Sequence, residues 1–106
     1  MSEENQPLLV KMAKEAQEDS DNWFPDVSSD LRHHTLGLAG EVGEFANLVK
    51  KIDRGTADPS SDVVRYDLAM ELADIFIYTL TIAALLQVDL EALYNVKRTE
   101  NATRFG

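Results

Sequence analysis

Acids placed where a helix should be apolar constrain this chain more than any other feature of its sequence. Over residues 30–54 the side chains of His34, Leu38, Phe45, Leu48 and Ile52 fall along one stripe at about 100° per residue, and Glu41 and Glu44 lie within it. Residues 58–87 repeat the pattern, with Val64, Leu68, Ile75, Tyr78 and Ile82 sharing a stripe with Glu71 and Asp74. Asn47 and Lys50 occupy the opposite, solvent-like sector of the first of these helices, so its acids are not a solvated face. All four carboxylates are therefore expected to point inward and to converge. Like charges and desolvation then raise one another's proton affinity, so a positive charge is expected among them. Oxygen donors without cysteine or histidine suit Mg²⁺, with Mn²⁺ the alternative. One acidic pair at i,i+3 decorates many helix surfaces, whereas two pairs inside apolar stripes are poorly explained by solvation.

Punctuation around these stretches divides the chain into four helical segments with no strand-like alternation and no repeat. A first helix is expected over about residues 6–19, and residues 20–29, SDNWFPDVSS, read as a loop. Ser28 or Ser29 is the expected cap of a second helix running from about Asp30 to Arg54, with Gly55 as its left-handed terminator. Asp58-Pro59 is expected to open a third helix reaching about Gln87, and Asp89 to cap a fourth. Short connections predict an all-α, four-helix bundle forming one domain over residues 1–106.

With no cysteine among 106 residues, disulfide frameworks and thiolate metal sites are excluded. A net charge of −9 argues against binding a nucleic acid polymer. The N-terminal segment lacks the apolar core of a secretory signal, so a cytoplasmic location is expected. The apolar run Ile75–Leu86 falls short of the roughly 18 to 20 residues that span a bilayer, which predicts a buried helix and no membrane association. That third segment is apolar nearly all round, more than one subunit can cover, and a homodimer or a tetramer is expected.

On the fourth segment Lys97, Asn101 and Arg104 share a face and are candidate phosphate ligands; the alternative is that the cations complement the helix dipole and lie over the core. Gly37 lies on the carboxylate side, open to a ligand or another helix, whereas Gly40 and Gly43 lie on the back.

The segments HTLGLAGEVGEFANLVKKIDRG, ELADIFIYTLTIAALLQVDL and KRTENATRFG, within residues 33–106, resemble the MazG-like all-α nucleoside triphosphate pyrophosphohydrolases. That superfamily also holds the dCTP pyrophosphatases, dimeric dUTPases and phosphoribosyl-ATP pyrophosphatases. The resemblance implies magnesium held by Glu41, Glu44, Glu71 and Asp74, and hydrolysis of a nucleoside triphosphate to monophosphate and pyrophosphate as nucleotide-pool house-cleaning. It also places Lys97 and Asn101 near the nucleotide, and matches Tyr78, Arg104 and Phe105. Arg32-His33-His34 departs from the basic or asparagine residues of several relatives, which leaves the base pocket open among Trp23, Phe24, His34 and Tyr78. For Trp23 and Phe24 a plug closing the bundle is an equal alternative, and either histidine could be a partly exposed residue at the helix start. A catalytic role for Glu44 as the base is the favoured assignment among the four acids. Two other classes compete: a non-catalytic acidic helical adaptor for a protein partner, and a di-iron or di-manganese bundle, which the absence of any Glu-x-x-His disfavours.

Overall fold

The computed structural model describes residues 5–106, and these form four α-helices without a strand: α1 Leu8–Trp23, α2 Leu31–Asp53, α3 Asp62–Leu86 and α4 Leu90–Phe105. The all-α expectation holds, with shifted boundaries. α1 continues four residues past its expected end, into what was read as loop, and Pro7 precedes it without a side-chain cap. Asp30, not Ser28 or Ser29, caps α2, its carboxylate accepting from the Arg32 amide at 2.9 Å. Asp58 does not cap α3. Its carboxylate instead accepts from the amide and hydroxyl of Ser60, closing a local turn, and the helix begins at Asp62. Asp89 caps α4 as expected, accepting from the Ala92 amide at 3.2 Å.

α2 and α3 end in the same way. After α2 the Gly55 amide donates to Ile52 and the Thr56 amide to Lys51, with Gly55 at φ +78°. After α3 the Gln87 amide donates to Ala84 and the Val88 amide to Ala83, with Gln87 at φ 56°. Both are Schellman caps, and the second places a side chain in the left-handed region that glycine occupies without cost.

The chain divides into two compact units. One contains α1, the end of α3 from Leu80, and α4. Its small buried core includes Ala13, Leu80, Thr81 and Ala83. Gln17 ties the segment after α1 to that helix, its amide donating to the Ser28 carbonyl at 3.3 Å and to Asp21 at 2.8 Å. A groove of about 530 Å³ opens between α1 residues such as Val10 and Ala13 and the end of α3 at Ala83 and Ala84.

The other unit, Asp30–Thr79, holds α2 and most of α3. Besides Gly37 and Thr79, its half-buried or buried helical positions are His34, Leu38, Glu41, Phe45, Leu48 and Ile52 on α2, and Val64, Leu68, Glu71, Ile75 and Tyr78 on α3. The spacing alternates four and three, which lines these positions up as one narrow seam along each helix.

The expectation that the apolar third segment is a buried helix is corrected. Within residues 75–86 only Leu80, Thr81 and Ala83 are buried, while Phe76, Ile77 and Leu86 are exposed and the rest half-buried; before that run Tyr66, Met70 and Leu72 are exposed as well. A seam one residue wide covers one stripe, and this helix is apolar on several. By length and composition alone the 25-residue helix also suffices to cross a membrane, because the helical stretch extends well before Ile75.

Candidate metal centre

Glu41 and Glu71 occupy the seam of the second unit, where packing requires side chains that face the other helix. One oxygen from each of Glu41, Glu44 and Glu71 lies within 4.8 Å of the others. Oε2 of Glu41 and Oε2 of Glu71 are shielded from solvent without a hydrogen-bond partner. Shielding two like-charged carboxylates beside one another is costly, and a cation between them would offset that cost.

The charge balance agrees with this. The Glu41 carboxyl is pushed up from 4.5 to about 7, first by a hydrogen bond with the Glu71 side chain, then by burial, and then by the negative charges of Glu44, Asp74 and Glu71. The predicted convergence is met by three acids directly and by Asp74 through its charge on Glu41. Burial divides the four: Glu44 and Asp74 are exposed, Glu41 and Glu71 half-buried, so Glu44 joins the cluster from its solvent side. Residues three positions along a helix are rotated by about 60° in net terms, which takes Glu44 and Asp74 off a narrow seam. The resulting site has two shielded carboxylates at its floor and two in contact with water.

His34 and Tyr78 adjoin this centre in the same unit. His34 is buried, 3% exposed, with its ring 6.3 Å from that of Tyr78 at 57°. This removes the reading of His34 as a partly exposed helix-start residue, which His33 alone satisfies. The phenol of Tyr78 lies directly on Gly37: a β-carbon built there would stand 2.4 Å from Cε1 and 2.5 Å from Cζ. Of the two openings considered for Gly37, admission of a neighbouring helix is the one realised, whereas Gly40 and Gly43 have open space above them. The contact was legible only as two residues on facing stripes; no sequence signal paired them.

The remaining candidates belong to the first unit. Lys97, Asn101 and Arg104 are exposed along one face of α4. Lys97 pairs with Glu100 at 3.0 Å, and the Arg104 guanidinium lies 4.9 Å from the Phe105 ring centroid. Arg104 also stands in the last turn of α4, where a cation complements the helix dipole. Trp23 is 68% and Phe24 57% exposed, so the plug reading fails in the single chain.

Comparison with known proteins agrees with this geometry. Residues 30–97, well over half the chain, match the family model for the MazG nucleotide pyrophosphohydrolase domain. Gene 37 protein of Mycobacterium phage L5 is 41% identical over 63 residues, which is 59% of this chain and 55% of that protein. The match thus spans little more than half of the relative's length.

Proposed function

The chain belongs to the MazG nucleotide pyrophosphohydrolase domain family, and from that membership we propose that it hydrolyses a nucleoside triphosphate to the monophosphate and pyrophosphate in the presence of Mg²⁺. The observation that carries the reading is the clustering of the shielded Glu41 and Glu71 carboxyls against one another, with Glu44 beside them. Such a donor set fits a hard divalent cation, Mg²⁺ or Mn²⁺.

In this reading Glu41, Glu44, Glu71 and Asp74 hold the metal, which when bound neutralises phosphate charge and polarises the reacting groups. Glu44, exposed beside the seam pair, accepts a proton from the attacking water. The water oxygen bonds to phosphorus as the α–β anhydride bond breaks, and pyrophosphate leaves. Lys97 and Arg104 counter charge on the phosphates, and Asn101 hydrogen-bonds phosphate or sugar. His34, Tyr78 and Trp23 edge the base.

The reading extends to a single domain over residues 1–106, a cytoplasmic location and a nucleotide-pool house-cleaning role. It also includes a homodimer or tetramer. Exposed Tyr66, Met70, Leu72 and Phe76 on α3 form the surface that a second copy covers.

The test is pyrophosphate release from a panel of nucleoside and deoxynucleoside triphosphates with Mg²⁺, with Mn²⁺ and with EDTA, followed by identification of the nucleotide product. Monophosphate and pyrophosphate formed only with metal is the expected result. No release from any triphosphate, together with no Mg²⁺-dependent rise in melting temperature, returns the chain to the class of non-catalytic helical adaptors.

A further inference from the structure

The contact between Gly37 and Tyr78 has a consequence for what the site accepts. On α2, Gly37 stands one turn after His34 and one turn before Glu41, so the three share a face. On α3, Tyr78 stands one turn after Asp74. The tip of the phenol therefore rests on bare α2 backbone one turn before Glu41, at distances no side chain at position 37 would permit. The distances to Cε1, Cζ and the hydroxyl are 2.4, 2.5 and 2.8 Å, so the whole tip of the ring would have to move. On its other side the ring neighbours the buried His34 imidazole, 6.3 Å away between centroids and tilted by 57°.

We propose that Gly37 is a positioning residue that sets substrate acceptance through Tyr78: by having no side chain it seats the phenol against α2 next to His34, and any side chain at position 37 drives the ring out of that seat. This rests on the proposed triphosphate hydrolysis for its kinetic part alone. The seat itself is a property of the two residues.

The experiment combines Gly37→Ala, Tyr78→Leu and the double variant, read by steady-state kinetics on the best triphosphate and by the nuclear Overhauser contact between the His34 and Tyr78 rings in wild type and Gly37→Ala. The expected result is loss of that contact in Gly37→Ala, with KM raised about tenfold and kcat held within about twofold. In the Tyr78→Leu background the same glycine substitution is expected to change KM by less than about twofold, because the atoms it would displace are gone. An unchanged ring contact in Gly37→Ala overturns the proposal. So does an equal KM increase with and without the phenol, which would assign the effect to position 37 itself. Should Gly37→Ala fail to fold, recovery of folding in the double variant supports the seat and its absence overturns it. A wild-type protein that releases no pyrophosphate defeats the proposed function, whereas the ring contact still decides whether Gly37 seats Tyr78.

Discussion

A single carboxyl, that of Glu41, connects folding, pH and metal in this protein. Its folded-state value of about 7 lies above the ordinary 4.5, so the fold favours the protonated form. That contribution is fully present below about 4.5 and is lost as pH rises through about 7. Metal-free protein is therefore expected to melt at a lower temperature at pH 8 than at pH 5.5, and saturating Mg²⁺ is expected to reverse the loss at pH 8; calorimetry at both pH values checks this. Asp30 and Asp58 act oppositely: the Arg32 amide holds Asp30 below 3.8 and the Ser60 hydroxyl, with its amide, holds Asp58 below it, so their contributions disappear only in stronger acid. Glu41→Gln removes one charge from the crowded pair. It is expected to raise the melting temperature of the metal-free protein at pH 8 while lowering pyrophosphate release at least about a hundredfold. Asp74→Asn is expected to lower release comparably with the fold intact, and unchanged turnover in either variant refutes the metal-ligand assignment.

Helix ends and helix seams separate what the sequence reveals from what it conceals. The α2 terminator was legible because Gly55 is the residue type that a left-handed cap requires. The matching cap after α3 was not, because Gln87 has no preference for that conformation and only the amide pairing of Val88 with Ala83 discloses it. Asp58-Pro59 misled for a related reason: an aspartate that bonds two residues ahead satisfies a turn as readily as a helix start. The candidate site was legible as two acidic pairs within apolar stripes. Its division into shielded Glu41 and Glu71 and exposed Glu44 and Asp74 depends on the 3.5-residue spacing of the seam, which a wheel at 3.6 residues per turn blurs. Gln87→Gly is expected to stabilise the protein by about 1 kcal/mol, read as a higher urea midpoint with unchanged slope. Asp89→Ala is expected to cost about 1 kcal/mol through the lost cap.

At the scale of the whole molecule, the described residues contain no large side chain that is fully buried, and the buried apolar residues among them are Ala13, Leu80 and Ala83. Chains of this size already bury a modest fraction of their surface, and one with so small an interior is short of apolar burial to offset its conformational entropy. Sedimentation at micromolar concentration is expected to give at least twice the 11.8 kDa chain mass. Leu72→Lys, on the exposed side of α3, is expected to lower that mass and the melting temperature together. When copies of a chain complete one another's interior, folding becomes a reaction of order higher than one. Dilution alone is then a denaturant: the melting temperature climbs with protein concentration, and specific activity falls on dilution before any substrate or metal becomes limiting.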